Sequence, residues 1–578
     1  MLKGALIVIP ALLATVPAEA AELKFRDEIV PVLVRRVPEI LKSYDSETGH
    51  FGHGIWLCTD QNHIYPLAAA YAYEAPGNTY YRDKDLLEVI MKAGDALIDD
   101  MDEMGRWEFR KKDGSTWGMT LMPWIYSRWI RAFGLIKDDM PPDRREHWAK
   151  ALTLGYTSIS QSALGRIHNI PTHHAMGLYV AGKALDRPEW CEQASDFMMK
   201  VVDKQAEGGY WSEHAGPVVS YNFVYVDALG TYYALSKDQR VLPALERSSR
   251  FHRYFVYPNG DRIATVDERN PYHAGVAIGN VGFTFSPEGR SYLKQQWSLY
   301  GMNRLPADLV ASLMLYGEEG PVAEPPLPGT EHLDVLSEGG EDKAAILRHG
   351  PWFVCLSAYT APILESRWVQ DRQNFVSIFH EKTGLILGGG NTKLQPAWSS
   401  FTVGDMDLLK HNAGDINPDF MPKGELYHVP SEATLVREPD VGLKLRYGPE
   451  EFRIRVKPRD SRTLEYQVEA KASSNLPVAA HLTLIPHLKE TLETGGGEKV
   501  TLGESPLEFT SQQVGGKLTH AGYTLHLPES TTLHWPALPH NPYRKDGSAT
   551  TAEGRIELRI PFDKQNSNYT VTMEIAEE

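Results

Sequence analysis

The chain has 578 residues, too many for one hydrophobic core, so two folded units are expected. Its formal charge of −16 excludes a uniformly basic surface for nucleic acid, although a local Arg cluster still lets one cleft attract anions. Thirteen Trp and 27 Tyr suit either aromatic cores or a long groove that stacks sugar rings.

Residues 1–20, MLKGALIVIPALLATVPAEA, begin with Lys3, continue through an apolar stretch over 5–16 and end in Ala18-Glu19-Ala20. That order is expected of an export leader, with the remaining chain periplasmic or secreted. No other apolar run is long enough to span a bilayer. The three cysteines, Cys58, Cys191 and Cys355, allow at most one internal disulfide and offer no metal-binding pair.

From residue 21 to 335 the apolar period is helical. Over 83–101, Leu86, Val89, Ile90, Ala93 and Leu97 share one face, and the acidic start suits the helix dipole. Further helices are expected over 120–134, 144–160, 171–184, 190–204, 221–236 and 239–255. Similar helices with short connections imply stacked hairpins, as a bundle, a solenoid or a closed toroid.

The segment 318–342 is rich in Gly, Pro and acid and reads as an interdomain linker. Beyond it the period becomes two. Phe452, Ile454 and Val456 alternate with Arg453, Arg455 and Lys457, and Leu464, Tyr466 and Val468 repeat the pattern. Val478, Ala480, Leu482 and Leu484 do so again, as do Ile556, Leu558 and Ile560. An antiparallel sandwich is expected there, which makes the whole a multidomain α+β protein.

Polar and aromatic residues concentrate between 166 and 273. RIHNIPTHHAMGLY supplies Arg166, His168, Asn169, His173 and His174, and Pro171 suits the first turn of a helix with Asn169 at its mouth. GGYWSEHAGPVVSYNFVYVDALGTYY supplies Trp211, Glu213 and His214, then Tyr221 and Tyr225 four apart on one helix face. GDRIATVDERNPYH adds Arg262, Arg269, Asn270, Tyr272 and His273 on a loop, where an Arg suits bidentate capture of a carboxylate.

These three clusters resemble those of the chondroitin AC, hyaluronate and alginate lyases and the heparinase II/III-like enzymes. The resemblance implies an (α/α) toroid over 21–335 followed by an antiparallel β-sandwich over 336–578. It also implies β-elimination on an anionic, uronate-containing polysaccharide. In that superfamily's chondroitin/hyaluronate branch an Asn lies before a helix, and a His and a Tyr-x-Gly-x-Tyr-Gly segment follow about fifty residues later. Asn169, His214 and Tyr225 match those positions, and Arg269 resembles the substrate-side arginines, so these four are the expected catalytic residues. Substrate contacts are expected from His173, His174, Trp211, Tyr221, Arg262, Tyr272 and His273. The chain departs from the pattern in three ways. Ile170 follows Asn169, both motif glycines are absent, and the His-to-Tyr interval is two residues longer, which keeps Tyr221 as the alternative acid.

Such an elimination removes the proton at C5 of the uronate, alpha to a carboxylate. Asn169 would stabilise the enolate-like charge without adding a repelling one. Tyr225 would protonate the leaving oxygen, and His214 would act as base or orient the tyrosine. Trp56, Trp107, Trp117 and Trp211 are candidate sugar platforms. His349, His380, His411 and His428 fit no standard metal spacing, so neither metal nor cofactor is expected. A glycoside hydrolase would instead need two carboxylates, from Asp203, Glu207, Glu213 and Asp227, and a uronate epimerase would share the proton-abstracting groups. A non-catalytic glycan-binding protein would need none of them.

Overall fold

Apolar faces at helical spacing pack here as a double ring. The computed structural model describes residues 21–269, 275–324, 332–412, 414–563 and 566–577. Its helices are α1 (Arg26–Leu41), α2 (Ile64–Ala72), α3 (Lys84–Asp100), α4 (Pro123–Ile136), α5 (Pro142–Ser162) and α6 (Asn169–Ala184). They continue with α7 (Pro188–Asp203), α8 (Val219–Ser236), α9 (Leu242–Tyr254), α10 (Pro287–Tyr300) and α11 (Ala307–Tyr316). The inner ring is α2, α4, α6, α8 and α11, with α11 returning to α2, while the remaining helices pack outside.

Local chemistry sets the helix starts. Proline occupies the first turn of α4, α5, α7, α9 and α10, where its missing N–H costs nothing. The Asp83 carboxylate accepts from the Asp85 and Leu86 amides, both at 2.9 Å, and so caps α3. Gly94 lets α3 meet α5 closely, because a Cβ there would lie 1.8 Å from the Trp148 ring.

Polar side chains cross the inside of the ring. The Arg131 guanidinium lies 4.1 Å from the Tyr65 ring centre and donates to Ser312 Oγ at 3.0 Å. Arg128 Nε donates to Asp308 at 2.8 Å, and His173 Nε2 faces Asp227 at 3.5 Å. These contacts tie α2, α4, α6, α8 and α11 together without a continuous apolar axis.

Two elements depart from the sequence reading. A hairpin, Trp107–Arg110 with Thr116–Thr120, projects between α3 and α4 in the part read as helical. Its turn signal was Asp113-Gly114, and Gly114 takes a φ of +81° there. The 318–342 segment is not a linker throughout. Gly320–Pro321 pairs with Glu22–Leu23, and a strand over His332–Glu338 starts the sheet before residue 335.

The second unit is a sandwich of an 11-stranded and a 9-stranded sheet among the described residues. Every paired strand described is antiparallel. Phe401 of one sheet stacks on Phe452 of the other at 4.1 Å. The larger sheet is buried on both faces. Val354, Leu356, Ile378 and Ile386 face the smaller sheet, whereas Phe353, Cys355, Phe379 and Leu385 face Tyr210, Phe251, Tyr257 and Val266 of the toroid. The toroid thus packs on the sandwich through an apolar layer.

Candidate active site

The candidate groups collect at the starts of α6 and α8 and on the loop before α8. Asn169 opens α6 and is mostly buried. Its neighbour His168 turns Nδ1 toward Glu213 Oε2 at 3.6 Å. Glu213 and His214 lie on the loop before α8, so the first two sequence clusters meet at the Glu213 carboxylate.

His214 has a firmly built partner. Its Nδ1 lies 2.6 Å from Glu268 Oε1, and the other Glu268 oxygen accepts from the Ala215 amide at 2.7 Å. The Glu268 side chain is 1% exposed while the imidazole is 41% exposed. Donation from Nδ1 to the carboxylate leaves Nε2 carrying the lone pair. Sequence reading passed over Glu268, although the acidic pair Asp267-Glu268 stands directly before Arg269.

Tyr225 and Tyr221 are placed very differently. Tyr225 is 1% exposed, stacked on Trp211 at 4.8 Å, and donates its hydroxyl to Glu213 at 3.0 Å. Burial, reinforced by the Glu213 charge, pushes its phenol far above the ordinary range. Tyr221, one helical turn earlier, is only partly buried. The Arg269 guanidinium lies 5.1 Å from its ring centre, and Tyr543 of the sandwich reaches its hydroxyl. Burial raises the Tyr221 phenol, with Tyr543 adding to the rise and Arg269 opposing it.

Arg269 is 9% exposed and held between Tyr221 and Trp368, the latter centred 5.6 Å away. Its backbone amide donates to Asp267 at 2.7 Å, which fixes the loop. Trp368 and Tyr543 come from sandwich loops that sequence reading left unassigned. Neither carries a local signal beyond being aromatic.

Among the other expected contact residues, Trp211, His173 and His174 are buried in the helical unit. Trp211 is 1% exposed and donates Nε1 to the Val201 carbonyl at 2.8 Å, so its face supports Tyr225. His173 and His174 are 1% and 3% exposed because α6 is an inner helix covered by α4, α7 and α8. Arg262 donates Nε to the Gly275 carbonyl at 3.0 Å and faces His252. Tyr272, His273 and the leader over 1–20 lie outside the described residues. Of the four candidate sugar platforms, Trp107 and Trp211 are buried and Trp56 stacks on His50, while Trp117 is 47% exposed.

The buried histidines give a pH prediction. Burial pushes His173 down to about 4 and His174 and His252 down to about 3. Unfolded histidines titrate near 6.5, so below that pH the unfolded chain binds more protons than the folded one. Stability is therefore expected to fall as pH drops from about 6.5 toward about 4. Urea midpoints measured across that window should decline, and His174→Gln should flatten the decline. A midpoint independent of pH would contradict it.

The sandwich segment 368–373 clamps the loops that carry His214 and Glu268. Arg372, 1% exposed, donates to the carbonyls of Val266 at 2.8 Å and Ala215 at 2.7 Å. The Gln370 amide donates to the Glu268 carbonyl at 3.1 Å. That segment is anchored in turn by Lys393, whose fully buried ammonium donates to Asp371 Oδ1 and the Leu364 carbonyl, both at 2.7 Å. His428 Nε2 meets the other Asp371 oxygen at 3.2 Å. Among the described residues no group of three or more His, Cys, Asp or Glu side chains is arranged to hold a metal.

A toroid whose open side is covered by a doubly buried antiparallel sheet has known counterparts. Heparinase III superposes with a TM-score of 0.52 over 99% of this chain and 87% of its own, at 11% identity. The chain has the heparinase III fold. A second heparinase III gives 0.50 at 14% identity, covering 97% and 85% of the two chains. Heparan sulfate lyase HepC from Pedobacter heparinus gives 0.50 at 9% identity, covering 96% and 84%. Neither a family model nor a curated protein matches the sequence. Among the described residues no helix is long and apolar enough to cross a membrane.

Proposed function

We propose that the chain is an exported polysaccharide lyase that cleaves a uronate-containing glycan by β-elimination. The observation that carries this reading is the His214–Glu268 pair, a buried carboxylate on Nδ1 behind an exposed imidazole, beside the Arg269 guanidinium. The guanidinium of Arg269 beside this pair suits an anionic substrate better than a neutral one.

In the proposed reaction His214 Nε2 takes the proton from C5. The C5–H electron pair becomes the C4=C5 double bond, and the C4–O bond breaks. The leaving oxygen takes a proton from the Tyr221 hydroxyl, which solvent then restores. Asn169 and Arg269 stabilise the carboxylate as charge builds on it. Tyr221 is preferred to Tyr225 as acid because it is only partly buried beside Arg269, whereas the Tyr225 hydroxyl is buried and committed to Glu213. The raised Tyr221 phenol also stays protonated until the transition state. Tyr225 then supports Glu213 and, through it, His168.

A hydrolase would need two carboxylates free to approach a sugar. Glu213 and Glu268 are instead 8% and 1% exposed and committed to Tyr225 and His214. The test is incubation with unsulfated uronate polymers such as hyaluronan, alginate and glucuronan, with neutral glucans as controls. Absorbance near 235 nm should rise with uronate polymers alone, since elimination leaves a conjugated 4,5-unsaturated uronate. New reducing ends without that absorbance would sink the lyase reading.

A further inference from the structure

An aromatic row crosses from the toroid to the sandwich beside the groove. Trp117, on the Trp107–Thr120 hairpin, lies 5.1 Å from Trp368 at 52°, and Trp368 lies 5.8 Å from Tyr543 at 60°. Tyr543 leads on to Tyr221, so the row is continuous with the proposed acid. Three cations accompany it. Lys111 Nζ sits 4.4 Å from the Trp117 ring centre, Arg367 lies 5.7 Å from that of Trp368, and Arg269 contacts Trp368 from the other side. Arg367 donates to the carbonyls of Arg544 and Lys545, and Lys111 donates to that of Tyr543 at 3.4 Å, which links hairpin and sandwich.

The arrangement is unusual for a solvent-facing hairpin. Trp117 and Tyr543 leave 47% and 44% of their surface in water, although both already touch Trp368. Packing alone does not account for such exposure in a row that also collects cations. Aromatic faces interleaved with positive charge fit a ligand that is apolar on its ring faces and anionic at its edge. A uronate sugar has both properties.

We propose that Trp117, Trp368 and Tyr543, with Lys111 and Arg367, form a binding subsite for the anionic sugars that flank the scissile bond. The subsite deepens the lyase reading and rests on it for the identity of the chain, while binding itself is measured without cleavage. It is built by residues of both units, so a substrate lying in it spans the hairpin and the sandwich loops together.

The test is affinity electrophoresis through gels containing hyaluronan or alginate, with hydroxyethylcellulose as the neutral control. The protein carries His214→Ala so that the polymer stays intact. Trp117→Ala is expected to weaken retention by the anionic polymers about tenfold, as truncation of an aromatic anchor does. Trp117→Phe keeps a ring and should restore most of it. Lys111→Met should weaken retention a few-fold and reduce its dependence on salt. Unchanged retention in both Trp117→Ala and Lys111→Met would overturn the subsite. Equal retardation in the neutral gel would overturn its anionic character, and a Trp117→Phe protein as weak as Trp117→Ala would overturn stacking. Loss of retention in Trp117→Ala, when the protein with His214 intact yields no 235 nm product, would keep the subsite and remove the lyase.

Discussion

Tyr221→Phe is expected to lower turnover about 10²–10⁴-fold, the usual contribution of a positioned proton donor. The substitution removes one hydroxyl and leaves the ring between Arg269 and the α8 backbone, so folding and polymer retention should persist. His214→Ala should cost a comparable factor through loss of the base, and Asn169→Ala should also slow the reaction by exposing the enolate charge. Tyr225→Phe is the decisive control. It breaks the 3.0 Å bond to Glu213 in a buried position, so it should lower stability by roughly 1 kcal/mol and turnover only modestly. Initial rates at 235 nm for the four proteins, each checked for folding, separate the two tyrosines. Collapse in Tyr225→Phe with normal rates in Tyr221→Phe would move the acid one helical turn deeper. Normal rates in both would leave the reaction without a tyrosine acid.

The largest stability effect is expected at Lys393. Its ammonium is fully buried between Asp371 and the Leu364 carbonyl, over the Phe420 ring. Lys393→Met fills nearly the same volume but leaves the Asp371 carboxylate buried with only His428 beside it. Removing one partner of a buried pair costs about 3–5 kcal/mol, because the surviving charge loses its compensation. Lys393→Met with Asp371→Asn should cost less than the sum of the two single changes, since no buried anion is then stranded. Denaturant titration of the single and double variants measures this, and a change below about 1 kcal/mol in Lys393→Met would contradict the account. Because Asp371 adjoins Arg372 and Gln370, the single variant should also loosen the loops that carry His214 and Glu268.

Helices were legible where they show one face to the core, as in α3, whereas their closure into a ring was not, since periodicity left bundle, solenoid and toroid open. The expected 171–184 and 221–236 became α6 and α8, each starting two residues earlier. The sheet was legible where polar residues alternate with apolar ones, as at Phe452, Ile454 and Val456 with exposed Arg453 between, and over Val478–Leu484, where the alternating His481 and Thr483 are buried as well. Trp352–Ser357 and Val376–His380 are buried on both faces, so their sequences carry no alternation. At the candidate site, local motifs carry His214, Tyr221, Tyr225 and Arg269, and sequence alone placed Tyr225 ahead of Tyr221 as the acid. Glu268 was not, since a lone acid on a loop looks solvated until folding presses it against His214. Trp368 and Tyr543 lie far along the chain from α8, and no local pattern predicts that three-dimensional meeting. Trp211 failed as a sugar platform for the opposite reason. Its sequence neighbours place it at the site, but its ring turns inward beneath Tyr225.

The short pairing of Glu22–Leu23 with Gly320–Pro321 brings the first and last turns of the helical ring side by side. In an open array of repeated helices, unfolding starts at the terminal units, which have a neighbour on one side only. Here α1 packs on α11 and α11 on α2, so every helix pair has neighbours on both sides. The ring has no end from which to fray.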